Sequence, residues 1–445
     1  MSFTERQFRP VIRQKIVDAL AVQIPSFTAR DIHVPRVPGK AVVVIGMRRT
    51  GKTTFLWQCL AAKLNSGASR QSLLHFSFED ERLAGMTADD LQWIVEEYFS
   101  LQPELREEHR TTLFLDEIQV VEGWERFARR LMDTERMDLF LSGSSSRLLS
   151  REVATSMRGR GVEVLVHPFS FREFLRHRGA EPVNDWKSIS KAPRSMLQKY
   201  FREYLQSGGF PEAQGLDPRD RTSLLRSYVD VATLRDVVER HQVSNTMALR
   251  WMQRQLLGNP AAPFSVQKFH DALKSQGVAV GKNTLHEYLA HLEDAFLIRT
   301  ISLHTASERQ RMVNPRKAYP VDPGLIPIYE QTERADYGHA LETLVLLELE
   351  RRGCQIGYVR TPQGWEVDFY ARPPAGPPWL IQVCADAAAP DTLNREIRAL
   401  QDAGATYPHA RLILLTLETA PPRDALPENI QWMPAIEWLL MPDHE

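Results

Sequence analysis

The chain switches between two hydrophobic rhythms. Between residues 41 and 166, short apolar runs recur at 41–46, 73–78, 112–115, 137–141 and 162–166. Runs rich in consecutive apolar residues predict strands buried on both faces, as in a parallel sheet. Segments of helical spacing separate them. One lies near 52–65, with Phe55, Leu56, Cys59 and Leu60 on one face, and others at 91–99 and 124–132. Strand and helix alternating in this way predict an α/β core. Upstream, Val11, Ile12, Ile16, Val17, Leu20 and Val22 predict an amphipathic helix over 7–24, and Pro25, Pro35 and Pro38 mark a connector to residue 40.

Beyond Pro168 the strand signal stops. Residues 169–245 read as helical, broken at Gly208-Gly209-Phe210-Pro211. Helices near 248–256, 266–274 and 283–293 follow, the last two separated by a glycine turn (Gly277, Gly281). The runs 296–298 and 301–303 predict a short β-ribbon. Helix, turn, helix and ribbon together form a winged-helix pattern. From 314 onward the chain returns to mixed α/β: a helix at 338–352, strands at 366–370, 379–384 and 411–416, and a helix near 391–403. The proline-rich stretch 373–378 reads as the loop joining two strands.

At 445 residues the chain exceeds one core and predicts about three domains. With 55 basic and 56 acidic residues, it cannot coat nucleic acid by bulk charge, although a local basic face is compatible with that balance. Cys59, Cys354 and Cys384 show no metal or disulfide spacing, which fits a reducing, cytoplasmic setting. The opening Met1-Ser2-Phe3-Thr4 has no apolar stretch behind it, so no secretory leader is expected. No apolar run reaches the length of a membrane span.

The chemistry begins at Val42-Val43-Val44-Ile45-Gly46-Met47-Arg48-Arg49-Thr50-Gly51-Lys52-Thr53. Strand, then G-x-x-x-x-G-K-[ST], then helix is the pattern of a phosphate-binding loop. Its glycines let backbone N–H groups surround phosphate oxygens, and the helix that follows points its positive end at them. The expected nucleotide contacts are Gly46, Arg49, Thr50, Gly51, Lys52, Thr53 and Thr54. Lys52 can reach the β/γ-phosphates, and the Thr53 hydroxyl can ligate Mg²⁺. Arg48 and Arg49 occupy variable positions of the loop and suit phosphate or solvent equally.

An apolar strand ending in acid should complete such a site. Leu113-Phe114-Leu115-Asp116-Glu117 supplies one, with Asp116 for Mg²⁺ and Glu117 to orient the attacking water. The serine-rich Leu141-Ser142-Gly143-Ser144 end of the next strand offers a γ-phosphate sensor, with Ser142 favoured over Ser144, or simply a helix cap. Arg158 and Arg160, before the fifth strand, are candidates to neutralise transition-state charge, in this site or in a neighbouring subunit's.

The motifs Gly46–Thr53, Leu115-Asp116-Glu117-Ile118-Gln119, Ser142-Gly143-Ser144-Ser145-Ser146 and Arg158-Gly159-Arg160 share one pattern with Pro168-Phe169-Ser170-Phe171-Arg172-Glu173-Phe174 and Gly208-Gly209-Phe210-Pro211-Glu212. So do Lys317-Ala318-Tyr319-Pro320-Val321-Asp322-Pro323-Gly324 and Glu366-Val367-Asp368-Phe369. Together they resemble the prokaryotic AAA-superfamily ATPases that carry an uncharacterised restriction-endonuclease-like domain at the C-terminus. The resemblance implies a P-loop NTPase parallel-sheet core of AAA type (39–175) behind an N-terminal helix and connector (1–38). A helical lid (176–245), a winged helix (246–310) and a nuclease-like α/β domain (311–445) would follow. It implies ATP and Mg²⁺ as ligands, and it leaves oligomeric state, DNA binding and protein partners open.

In a helix-turn-helix reader the start of the second helix meets the bases. Here that start carries Lys282, Asn283, His286 and Glu287. The first two suit phosphate or adenine, and Glu287 does not. A nuclease of the restriction-endonuclease type needs a helix carboxylate, a strand Asp, and Glu-x-Lys on the next strand, to hold Mg²⁺ and stabilise charge. This chain offers Glu342 and Asp368, but Gln382 stands at the Glu position and Cys384 at the Lys position. A neutral amide is a poorer Mg²⁺ ligand than a carboxylate, and a thiol supplies no cation. The expected reading is a degenerate site kept for binding, with Arg395 or Arg398 as substitute cations in the alternative that cleavage survives.

Overall fold

The structure, a computed structural model, describes residues 3–108, 110–143, 157, 159–330, 337–422 and 425–442. The chain divides after His167 into two compact units.

The first unit is built on a five-stranded parallel sheet in the order β2-β3-β4-β1-β5. Its strands are β1 (Ala41–Ile45), β2 (Leu73–Ser77), β3 (Thr111–Asp116), β4 (Met137–Gly143) and β5 (Gly161–Leu165). Every residue of β1 and β3 is buried, as their apolar runs require. Helix Lys52–Asn65 seals one face of the sheet through Phe55, Leu56, Cys59 and Leu60.

The N-terminal helix spans Phe3–Ala21 and buries Phe8, Ile12 and Ile16, a stripe of strict four-residue spacing. The expected span of 7–24 is therefore displaced. Val17 and Val22 lie off that narrow stripe and are about half exposed, and Ile24 packs on the sheet core from the connector rather than from the helix. Arg9 and Arg13 of this helix donate to the buried carboxylate of Glu97, at 2.5 and 2.7 Å, and fix the helix to the segment Gln92–Leu101.

The second unit begins with helix Phe171–His177, closed by a reciprocal cap between Ser170 and Glu173. Helices Lys191–Ser207 and Pro218–Val231 follow, and the latter runs on into a π-helical stretch, Ala232–Glu239. Thr246–Gly258, Val266–Ser275 and Lys282–Asp294 are next. A three-stranded antiparallel sheet then sets β8 (Arg316–Pro320) between β6 (Pro263–Phe264) and β7 (Ile298–Ile301). The expected local ribbon of 296–298 with 301–303 is thus replaced. Ile298–Ile301 is one strand, and its partner comes from beyond helix Glu308–Val313. Pairing across such a connection carries no local turn signal.

The remaining chain forms a mixed sheet in the order β13-β12-β11-β10-β9, from β9 (Gln355–Arg360), β10 (Glu366–Arg372), β11 (Trp379–Cys384), β12 (Arg411–Thr416) and β13 (Ile430–Pro434). Helix Tyr337–Arg351 is buried against one face and helix Pro390–Thr406 covers the other. Strands β9 and β13 were not expected, because QIGYVR and IQWMP give neither a clean apolar run nor clean alternation. Residues 373–378 join antiparallel β10 and β11, as the sequence predicts.

A buried carboxylate ties three segments of this unit together. Asp322 accepts from Gly209 N at 2.7 Å and Gly324 N at 2.9 Å, while Gly209 O accepts from Phe169 N at 2.7 Å. A Cβ on Gly209 would lie 2.2 Å from Phe169 O. Gly209→Ala is therefore expected to destabilise the second unit by about 1–3 kcal/mol through overpacking. Calorimetry of the full chain should show a lower melting transition, and an unchanged melting profile would contradict this packing.

Candidate functional site

The loop after β1 is shaped by two residues without freedom to vary. Gly46 has φ +148, and a Cβ there would meet Val166 O at 2.3 Å, so the loop passes directly under the chain leaving β5. Gly51 has φ +94 and stands as N-cap of helix Lys52–Asn65, where no side chain covers the first amides. Those amides, with the helix dipole behind them, make an anion-binding end. Thr50 is fully buried, and its hydroxyl donates to Met47 O at 2.9 Å. Lys52 Nζ donates to the same carbonyl at 3.0 Å, which curls the ammonium over the loop. Arg49 takes a left-handed φ of 67 at the loop's apex. Arg30 braces the loop from behind, donating to Thr50 O at 3.0 Å and to His167 O. Thr53 and Thr54 stand on the exposed side of the first helical turn.

Parallel pairing brings the end of β3 to this turn. Thr53 Oγ1 donates to Asp116 Oδ2 at 2.8 Å. Asp116 is 2% exposed. Burial pushes its carboxyl up from the ordinary value, while hydrogen bonds from Ser142 and Thr53 and the charge of Lys52 pull it back. Ser142, fully buried on β4, donates to Asp116 Oδ1 and accepts from Glu117 N at 3.1 Å. Its hydroxyl is engaged with the acidic pair, an arrangement the sensor expectation did not anticipate. Glu117 sits at φ 56, a left-handed conformation that costs a non-glycine residue about 1–3 kcal/mol. Gln119 donates to its carboxylate. These are hard oxygen donors beside a phosphate-shaped loop, so the donor set fits a Mg²⁺-bearing nucleotide.

The two arginines stand differently. Arg158, like Ser144, lies outside the described residues. Arg160 precedes β5, where Gly161 pairs with Ala41, so it lies at the end of the sheet opposite the loop. It is partly exposed and paired with Asp133. The structure does not bring Arg160 to the phosphate loop of its own chain.

The second unit holds another polar cluster. Glu342 of helix Tyr337–Arg351 and Asp368 of β10 do come together, and the residue joining them is one the sequence reading did not assign. Lys317 of β8 reaches Glu366 at 3.0 Å and Glu342 and Asp368 at 3.2 Å. Burial opposes its charge, but Asp368, Glu342 and Glu366 outweigh burial and hold the ammonium above its usual value. Tyr319 donates to Glu342 at 2.8 Å. Burial and the neighbouring Asp368 hold the Glu342 carboxyl above its ordinary value.

The expected lysine position, Cys384, is instead part of an apolar cluster, its thiol pushed up by burial to about 11. The cation is thus supplied from a different strand. Gln382 accepts from Asp368 N at 3.2 Å and donates to Glu396 at 2.6 Å. Arg395, a proposed substitute, is exposed and pairs with Glu396 at 2.6 Å. Glu342, Glu366, Asp368, Gln382, Arg395 and Glu396 line a cleft of about 480 Å³. Among the described residues, no set of three or more His, Cys, Asp or Glu is arranged to hold a metal ion. The one available signal for Lys317 was its place in the motif Lys317-Ala318-Tyr319, which the sequence reading used only for resemblance.

Comparison with known proteins agrees with the loop geometry. Residues 38–175 match the model of an AAA domain, and residues 198–334 match a domain of unknown function. An uncharacterized protein of Methanocaldococcus jannaschii is 33% identical over 379 residues, covering 84% of this chain and 81% of the relative. One from Haemophilus influenzae is 30% identical over 331 residues, covering 74% and 79%. Among solved structures, the Walker-type ATPase of Pyrococcus abyssi aligns over 72% of this chain and 95% of its own, at 15% identity and TM-score 0.38. The chain belongs to the family of these archaeal and bacterial proteins and carries an AAA-superfamily ATPase domain. No described helix is long and apolar enough to cross a membrane.

Two measurements probe this geometry. Lys317→Met should destabilise the protein by about 3–5 kcal/mol near neutral pH, because it strands the carboxylates of Glu342 and Asp368 and leaves Glu366 only Arg360. A variant that melts like the wild type would show that Lys317 is dispensable. His75, buried beside Asp116, is pushed down to about 4 by burial, Arg70 and Lys15. The unfolded chain binds that proton from about pH 6.5 and the folded one only near pH 4. His75 therefore contributes stability that is present above pH 6.5 and lost as pH falls to 4, a change of about 3 kcal/mol. The stability advantage of wild type over His75→Phe should shrink by that amount across this window in pH-resolved calorimetry, and a constant difference would contradict the assignment.

Proposed function

We propose that this protein binds Mg-ATP, hydrolyses it, and couples nucleotide state to the binding of DNA or a protein partner by its second half. The observation that carries the reading is the 2.8 Å contact between Thr53 and Asp116 beside Lys52 in the loop. In this reading the loop amides, Gly46, Arg49, Thr50, Gly51 and Thr54 seat the phosphates. Lys52 neutralises the β/γ-phosphates, and Thr53 and Asp116 hold Mg²⁺, which supplies charge neutralisation on the phosphoryl oxygens. Glu117 orients the attacking water and takes up its proton, while Ser142 fixes the acidic pair. Phosphoryl transfer is mainly positioning and charge stabilisation, so these few groups suffice. Arg160, at the end of the sheet away from its own loop, acts on a neighbouring copy in this reading, which makes homo-oligomerisation part of the proposal, while Arg158 stays a candidate for its own site or a neighbour's.

The second half is read as a winged helix followed by a restriction-endonuclease-like domain retained for binding. Supporting the winged helix are helices Val266–Ser275 and Lys282–Asp294, set between β6 and the β7–β8 pair of the small sheet. Supporting loss of cleavage is Gln382, a neutral amide at the metal-ligand position. The alternative of an ATP-gated nuclease is favoured by one observation: Lys317 restores the cation that Cys384 lacks.

The deciding experiment is phosphate release by the full chain with and without DNA. Glu117→Gln should retain nucleotide binding and lose at least about 100-fold in turnover, and Lys52→Ala should lose both. Turnover that survives Glu117→Gln removes the assigned role of that residue. Stimulation by DNA identifies the partner class. Divalent-cation-dependent DNA cleavage abolished by Asp368→Ala would replace the binding reading with the nuclease.

A further inference from the structure

His75 belongs to β2, which pairs with β3 so that Ser77 lies beside Asp116. Its ring stacks on Trp57, one turn beyond Thr53 on helix Lys52–Asn65, with centroids 4.3 Å apart and planes 19° apart. The residue is 7% exposed. Its Nε2 is buried and has no hydrogen-bond partner among the described residues. That nitrogen lies 4.0 Å from Asp116 Oδ2, the same oxygen that accepts from Thr53.

A buried imidazole nitrogen is costly to leave unsatisfied. The separation is too long for a direct hydrogen bond and within the reach of one bridging water. The Trp57 stack holds the ring plane, and through it the nitrogen, on the helix that carries Lys52 and Thr53.

We propose that His75 is a positioning residue for Asp116: one water joins Nε2 to Oδ2 and fixes the carboxylate that receives the magnesium of bound ATP. This rests on the Mg-ATP reading above. Groups behind a metal ligand hold its orientation, and their removal typically weakens metal affinity by about 10- to 100-fold. In this case the effect falls on Mg²⁺ affinity, since His75 faces Asp116 and is not among the residues assigned to the phosphates.

The test uses the full chain and a fluorescent ATP analogue, titrated with Mg²⁺ and read by fluorescence, with phosphate release in parallel. His75→Phe keeps the ring on Trp57 and removes the nitrogen, and it should raise the half-saturating Mg²⁺ about 10-fold. Saturating Mg²⁺ should recover the signal, and His75→Gln should recover part of the affinity. A His75→Phe protein with the wild-type Mg²⁺ dependence overturns the proposal and leaves His75 as packing. A wild-type protein whose nucleotide binding ignores Mg²⁺ overturns the reading on which the proposal stands. Should both variants fail to fold, wild-type protein with labelled histidines decides. Mn²⁺ added with ATP should broaden the His75 ring resonances, and resonances that stay sharp overturn the proposal.

Discussion

Asp116 is a buried carboxylate at the end of a strand, and the first unit is arranged around making that tenable. A buried carboxylate needs donors on its oxygens. Thr53 serves one and Ser142 the other, from the helix and the strand that flank β3. Each donor is there because of something else in the fold. Thr53 is delivered by the turn that Gly46 and Gly51 permit, and Ser142 by the register that aligns Leu115 with Leu141. Ser142 then holds Glu117 in its left-handed conformation through the backbone amide. The acid, the loop and the strained glutamate form one interlocked arrangement, and the proposed nucleotide chemistry needs all three in register.

The second unit solves the same problem with a different counter-charge. Glu342, Glu366 and Asp368 converge on a single buried ammonium, Lys317. Removing one partner from such a group is more damaging than the group is stabilising, so it constrains the unit strongly while adding little net stability. Lys317 lies on β8 in the small sheet, whereas Asp368 and Glu366 lie on β10 and Glu342 on the long helix. The cluster therefore joins the three-stranded sheet to the five-stranded one. Asp322, three residues after Tyr319, performs a similar service for the Gly208-Gly209 turn and Phe169.

Much of the first unit was legible because its signals are local. Five apolar runs gave five strands, and the loop motif placed Gly46, Lys52 and Thr53 before any contact was known. The second unit was legible in its helices and in β10, β11 and β12. It was not legible where pairing is distant. The partner of Ile298–Ile301 comes from Arg316–Pro320, and no turn chemistry announces it. Strands β9 and β13 carry too mixed a pattern. Lys317 was not legible because the cation positions the sequence offers, Cys384, Arg395 and Arg398, all follow the acidic strand, while the fold brings the cation from the three-stranded sheet that precedes it.

The sequence by itself determined the ligand class the loop is suited to, the acidic strand that accompanies it, and the alternation that yields a parallel core. These are set by residue type and short spacing, which survive without knowledge of the fold. Only the tertiary structure decided which side chains share a charge. It set Ser142 against Asp116 and Glu117, placed His75 beside Asp116, put Arg160 at the far end of the sheet, and lodged Lys317 among three carboxylates. The physical reason is that hydrogen bonds and ion pairs act over a few ångströms of space, and space, unlike sequence, is assigned by how sheets pair and pack.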